Sequence, residues 1–373
     1  MVAKIGWDQA LAWRLNRQLL DPVGQLPADE VVRRLCGVQA QVASSAELAV
    51  RVRQQDSEPG EVGRALAEGR LIKTWAMRGT LHLLTPGDAG DFLSLMAAGR
   101  TWERPSWQRY FGMPVEAWDR LRPAVRDALA AGPLSRDELV AAVVAEPGLD
   151  HLGQALRAGW GTLLKPLAWQ GDLCFGPSRG NRVTFMRPEA ASAGWSGVPD
   201  PDEAAPRVIA AYFGAYGPAT IDNFQSWLAR GWIGARRLRA WFAALGEQLV
   251  EVDVDGEGRL VLHEHLDELM AARAAAAVRL LPGFDQYVLG PGTDDPHVVP
   301  AGRRAAVSRQ SGWIAPTVVH AGVVAGTWQL TGDQVQVDWF AEAGAPPLER
   351  LDAEISRHAV IAARTLRVSV SPG

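Results

Sequence analysis

Apolar positions recur along this chain with two different periods, and the changes of period divide it. Residues 132–140 read GPLSRDELV and residues 217–225 read GPATIDNFQ. Each is a Gly-Pro break, then Ser135 or Thr220 in the N-cap position, then apolar side chains at helical spacing. Ser135 and Glu138 also have the spacing of a capping box. After the first break, LGQALRAGWGTLLKPLAWQGDLCFGPSRGNRVTFMRP predicts a second helix and two short strands joined at SRGN. After the second, GARRLRAWFAALGEQLVEVDVDGEGRLVLHEHL predicts a helix and then two alternating runs around a Gly-rich turn. Helix, turn, helix and hairpin is the order of a winged helix. A looser copy lies near the N-terminus. PADEVVRRLCGVQAQ and SSAELAVRVRQQ supply helices, and TWAMRGTLHLLTPGD supplies a strand followed by a turn. Three related units carry more weight than one, because a lone helix-turn-helix pattern is common by chance.

The stretch 187–206 (RPEAASAGWSGVPDPDEAAP) is rich in Pro, Ala and Gly and reads as a linker. From about residue 278 the pattern turns to alternation. IAPTVVHAGVVAGTWQLTGDQVQVDWF predicts a three-stranded meander turning at HAG and TGD, and PLERLDAEISRHAVIAARTL predicts a closing helix. The expected architecture is therefore α+β. It comprises winged-helix units over residues 1–120, 121–190 and 200–270, and a β-rich unit with its closing helix over 278–373.

Composition changes this picture little. Hydrophobic residues make up 47% of the 373 and charged residues 21%, an ordinary globular balance that can fill several cores. No apolar run is long enough to span a membrane. The N-terminal stretch MVAKIGWDQALAWRL interrupts its apolar residues with charges and lacks a small-residue cleavage site, which argues against a signal peptide. Cys36 and Cys174 sit in apolar contexts, so a reduced, cytoplasmic protein with two core thiols is expected. The net charge of −4 does not by itself suggest nucleic acid. Of 38 basic residues only Lys4, Lys73 and Lys165 are lysine; this fits nucleotide bias in the genome, and arginine is also the better phosphate ligand.

Several familiar chemistries are missing: no Walker loop, no dinucleotide fingerprint after a strand, no paired CxxC and no HExxH helix. No cofactor or metal is expected. His263 and His265 flank Glu264, but no third ligand is near, and a solvated wing edge explains them. GWS (194–196) lies in the linker and is no nucleophile elbow. Arg236, Arg237 and Arg239, with Arg230 just upstream, fall on the helix that docks on DNA in a winged helix; a solvated helix face is the equal alternative. In WAMRGTLHLL (75–84), strict alternation would put Arg78, Thr80 and His82 on one face, lining a polar cavity or simply facing water.

GVQAQ (37–41) lies between two helices. Gly37 is placed to end the first, and Ser44 with Glu47 has the spacing of a capping box for the second. In an extended link Gln39 and Gln41 would share a face, whereas in a helix they would diverge by about 200°. Spacing alone leaves these amides as structural polar groups.

In combination, GVQAQ (37–41), TWAMRGTLHLL (74–84), LLPGFDQYVLG (280–290) and IAPTVVHAGVVAGTW (314–328) resemble the AlkZ-type DNA glycosylases, winged-helix proteins whose relatives include the YcaQ-like proteins. The resemblance covers essentially the whole chain. It implies tandem winged helices in a C-shaped scaffold, closed by a β-rich element, around a basic channel for duplex DNA. The activity it implies is excision of bulky N-alkylated purines, including unhooking of interstrand crosslinks. The partner it implies is duplex DNA with alkylated or crosslinked purines, bound by a monomer. The family's catalytic motif is Gln-x-Gln, with Asp second in the YcaQ-like branch; Gln39 and Gln41 match the Gln-x-Gln form. Similar proteins are often encoded beside antibiotic biosynthesis genes and confer self-resistance. Arg78, Thr80 and His82 become expected neighbours of the amides, and Arg236, Arg237 and Arg239 expected phosphate contacts. A crosslinked base is tethered to both strands, so this activity does not require a pocket for an everted lesion. Two rivals stay open on residues alone: a non-enzymatic DNA-binding regulator and a protein-interaction scaffold.

Overall fold

The computed structural model describes residues 2–159 and 161–372. The chain is α+β, and its contacts divide it into two compact units. One comprises Met1–Val62, Ile209–Trp227 and Leu245–Gly373; the other comprises Gly63–Val208 and Leu228–Ala244.

The first unit holds two sheets. Strands Val278–Leu281, Thr317–His320, Val323–Thr331, Gln334–Trp339 and Arg367–Pro372 lie side by side in that order. The first four pair antiparallel, and the last joins parallel to its neighbour. The expected meander is thus present, and its first turn uses Ala321 and Gly322, both at positive φ. Side chains alternate strictly in Gln334–Trp339: Val335, Val337 and Trp339 face a core that Leu351 and Ile355 of the helix Leu348–Ala362 complete. The second sheet is the hairpin Leu249–Val254/Glu257–Leu262, with Ala3–Ile5 added in parallel to its first strand. The strand ends at Leu262, and His263–His265 form a short 3-10 turn rather than continuing the alternation. His265 then packs near the ring of Trp13 and the guanidinium of Arg17.

In the second unit the strands run Leu81–Leu84, Ile72–Trp75, Cys174–Arg179, Arg182–Met186 and Leu134–Ser135, all antiparallel. Trp75, Phe175 and Phe185 pack ring against ring on this sheet, with centroids 4.6 to 5.9 Å apart.

Both caps read from the Gly-Pro breaks form. Ser135 Oγ accepts the Glu138 N–H while Glu138 accepts the Ser135 N–H. Thr220 and Asn223 do the same at the start of Ile221–Ala229. The capping box expected at Ser44 and Glu47 does not. Ser44 lies inside the helix Ala43–Arg51, whose N-cap is Val42. The Glu47 carboxylate instead accepts the N–H groups of Gly60, Glu61 and Val62 at 2.8 to 3.1 Å, neutralising the first turn of Glu61–Ala67. Two further expectations change. The end of the supposed linker is already helical, since Pro201 opens Pro201–Tyr216 with Asp202 and Glu203 in its first turn. TPGD begins the helix Pro86–Ala97 rather than making a turn.

Candidate active site

The glutamine link is set by how the preceding helix ends. After Ala28–Arg34 the chain closes with Gly37 N–H on the Val32 carbonyl and Cys36 N–H on the Arg33 carbonyl, a Schellman pattern. Gly37 has φ 95°, but the left-handed C′ residue is Cys36, at φ 55°. Gly37 is one place further on than its sequence reading gave it. Val38–Gln39 is extended, Gln41 and Val42 bend, and the next helix starts at Ala43. Both glutamines therefore lie outside helices, as the flanking residues imply. Val38 and Ala40 are fully buried and fasten the link to the core. The two amides differ in surroundings: Gln39 is 6% exposed, while Gln41 faces solvent. Neither side chain has a hydrogen-bond partner among the described residues. The Gln39 amide is unpaired within the protein, yet none of its polar atoms is fully buried, so it keeps contact with solvent beside a buried backbone.

Arg78, Thr80 and His82 do not share one strand face. The chain turns at Ala76–Thr80, with Arg78 at φ 56° and Gly79 at φ 70°, so Ile72–Trp75 and Leu81–Leu84 form a hairpin. Alternation cannot be carried across that turn. His82 pairs across the hairpin with Thr74, and both side chains are fully buried. His82 Nδ1 donates to the Thr80 carbonyl at 3.0 Å, which fixes the neutral tautomer and leaves Nε2 bare. Nε2 and the Thr74 hydroxyl are both buried without a partner. Burial and the nearby Arg78 charge push the imidazole down to about 3. At neutral pH this site therefore offers a polar acceptor carrying no charge.

Arg236, Arg237 and Arg239 lie on the exposed face of Ala235–Leu245, opposite buried Leu238 and Trp241. Arg237 is held by Asp202 at 3.2 Å, and the same carboxylate accepts the Trp241 indole N–H. Arg236 and Arg239 have no partner among the described residues. No group of three or more His, Cys, Asp or Glu among the described residues is placed to hold a metal ion. No helix among them is long and apolar enough to cross a membrane.

Residues 32–361 match the family model described as "DNA glycosylase AlkZ-like". A Streptomyces sahachiroi protein described as "Interstrand DNA cross-link repair glycosylase" is 48% identical over 352 residues, covering 94% of this chain and 95% of that protein. The solved structure of the Streptomyces sahachiroi DNA glycosylase AlkZ superimposes with a TM-score of 0.96 at 47% identity. That match covers 99% of this chain and all of the other. The chain belongs to the AlkZ-like DNA glycosylases. It is accordingly an enzyme acting on DNA, and the readings as a non-enzymatic regulator or a scaffold are set aside.

In this AlkZ-like enzyme the sequence reading missed the residues that brace the glutamine link. Arg53, fully buried, makes a two-pronged ion pair to Asp285 at 2.7 and 2.8 Å and also donates to the carbonyls of Gln18 and Ala49. Asp285 in turn caps Gln286–Leu289 by accepting the Tyr287 N–H. The Tyr287 hydroxyl donates to the Gly322 carbonyl, and the Trp328 indole donates to the Leu281 carbonyl. LLPGFDQYVLG and IAPTVVHAGVVAGTW are thereby tied into one web. Gly290 lies flat against Tyr216, where a Cβ would come within 2.1 Å of the ring. The Tyr216 hydroxyl donates to the Leu35 carbonyl, at the end of the helix that leads into GVQAQ. Nothing in the sequence marks Arg53 as buried, since an arginine near a helix end ordinarily reads as surface. The apolar setting of Asp285 in PGFDQYV was the one available signal.

Proposed function

We propose that this enzyme excises bulky N7-alkylated purines from duplex DNA and unhooks interstrand crosslinks, with Gln39 and Gln41 as its catalytic amides. The observation that carries this reading is the Gln39 amide, unpaired within the protein and held in a non-helical link whose preceding helix is pinned by Tyr216. Alkylation at N7 makes a purine cationic, so its bond to C1′ breaks with both electrons returning to the base, which leaves neutral. No strong acid is needed. What remains is to support positive charge developing on the sugar and to hold a water for attack at C1′, its proton passing to solvent. Amide oxygens supply fixed dipoles for the first task and orientation for the second. The relative named as a crosslink repair glycosylase supports the crosslink substrate.

The tandem winged-helix reading over 1–120, 121–190 and 200–270, beside the β-rich 278–373, belongs to the same proposal. It is supported by the helix–helix–hairpin order of each unit, including the hairpin at 72–84 in the most divergent one. Arg236, Arg237 and Arg239 serve as phosphate contacts, and Arg78, Thr80 and His82 as polar neighbours of the reacting purine. Self-resistance to a genotoxic natural product is the role this activity suits, for a cytoplasmic monomer.

The test uses end-labelled duplex bearing N7-alkylguanine, followed by alkaline cleavage of abasic sites. Wild type yields strand breaks, and Gln39→Ala and Gln41→Ala each slow excision by about 10²–10³-fold, the scale of one well-placed dipole. Gln41→Asp, which mimics the YcaQ-like motif, retains part of the activity. No breaks from wild type with small or bulky adducts would overturn the assignment.

A further inference from the structure

The second unit contains a cavity of about 720 Å³ that the chemistry above does not use. Its volume lies within the range of small-molecule sites. Trp107, Tyr110, Phe111, Trp169 and Trp232 wall it, and Lys165 and Arg104 line it beside them. Such large aromatic rings would ordinarily be core, yet Tyr110 is 82% exposed and Trp107 and Trp232 are only partly covered. Trp169 and Trp232 stand at 6.1 Å and 56°, tilted rather than stacked, so neither ring face is filled by the other. The Trp169 indole N–H is buried without an acceptor.

The cations here are uncommitted. Arg100 and Arg207, elsewhere in the same unit, hold carboxylates of Glu103 and Asp91, but Lys165, Arg104 and Arg230 have no ion-pair partner among the described residues. Burial, and then the Arg230 charge, lower the Lys165 ammonium from its ordinary value, as expected for a half-buried cation without a counter-charge. The cavity also adjoins the hairpin turn. A Cβ on Gly79 would meet Lys165 Cδ at 3.6 Å and the Trp169 ring at 3.7 Å.

Aromatic faces beside unpaired cations make the combination that holds an unstacked base and its backbone. We infer that this cavity binds an unpaired nucleotide of the DNA, its base against Trp107 and Trp232 and its phosphate at Lys165 and Arg104. The occupant need not be the alkylated base; a nucleotide freed from its pair by opening of the duplex satisfies the same contacts. The inference rests on the enzyme acting on DNA and not on the roles of Gln39 and Gln41.

Tryptophan emission of the full-length protein, titrated with oligothymidylate, tests it. Wild type is quenched on binding, and the affinity falls as salt rises. Trp107→Ala weakens binding about tenfold or more, the scale of one lost base–aromatic stack. Arg104→Ala and Lys165→Met weaken it severalfold, while Lys165→Arg restores most of it. Arg104 is exposed, so its replacement keeps the test valid if Trp107→Ala does not fold. No quenching of wild type, or unchanged affinity in Arg104→Ala and Lys165→Met, overturns the inference. So does displacement of the oligonucleotide by an aromatic carboxylate but not by thymidine monophosphate, which would assign the cavity to a non-nucleotide aromatic group. Excision of N7-alkylguanine by the same wild-type protein separates the two proposals. Excision without quenching removes the cavity's role alone, and quenching without excision removes the glycosylase substrate alone.

Discussion

Two buried polar sites in this enzyme are built in opposite ways. At Arg53 and Asp285 five hydrogen bonds converge: two between the charges, two from Arg53 to carbonyls, and one from Tyr287 to Asp285. At Thr74 and His82 a hydroxyl and an imidazole nitrogen are buried without any partner. A satisfied network fixes one arrangement, and removing a member exposes the rest to a large penalty. An unsatisfied pair contributes nothing comparable to stability and leaves its hydrogen-bonding capacity unused. Burial of polar groups is therefore not one property: in the first site every group is satisfied and holds the frame, in the second two groups stay unsatisfied.

The sharpest way to break this contrast is Asp285→Ala. Leaving the Arg53 guanidinium buried without its counter-charge should lower unfolding free energy by about 3–5 kcal/mol, read from urea denaturation. A loss below about 1 kcal/mol would put the two sites on the same footing. Next comes acid. His82 stays neutral in the folded protein down to about 3, while an unfolded histidine takes up a proton near 6.5. The unfolded state thus binds more protons between these values, and stability falls as pH drops through that window, by up to about 1.4 kcal/mol per pH unit. His82→Phe should flatten that part of the pH dependence; an unchanged slope would show that His82 is not its source. The smallest effect is expected at Tyr216→Phe. It removes one neutral hydrogen bond and should cost about 1 kcal/mol in stability. If that hydroxyl also holds the glutamine link in place, excision slows while affinity for DNA is kept, an effect that lost packing alone would not give.

How far the sequence showed these features depended on distance along the chain. Ser135 with Glu138, and Thr220 with Asn223, cap through neighbours three residues away; the sequence showed the first pair and Thr220 as a cap, though not its partner Asn223. Glu47 caps a helix that starts fourteen residues further on, so a local rule paired it wrongly with Ser44. The residue pattern of WAMRGTLHLL alternates although the backbone turns within it, and only Gly79 hinted that Arg78 stood at the corner. The non-helical link at Gln39 and Gln41 was legible from its flanks. The Arg53–Asp285 pair, 232 residues apart, was not, because no local pattern reports which arginine will be drawn inside.

The parallel pairing of Ala3–Ile5 with Val252–Val254 has a consequence for how the protein is made. At about 5–20 residues per second, the strand that receives residues 3–5 leaves the ribosome roughly 10–50 s after they do. Asp285, which holds Arg53, emerges later still, whereas the run Gly63–Val208 is by then complete. The segment that bears the glutamines and Arg53 is thus synthesised well before Asp285, the partner that holds it. Until then Leu11, Leu15, Leu20 and Val52, which pack in one cluster with Leu281, Phe284 and Tyr287, lack those partners on the nascent chain.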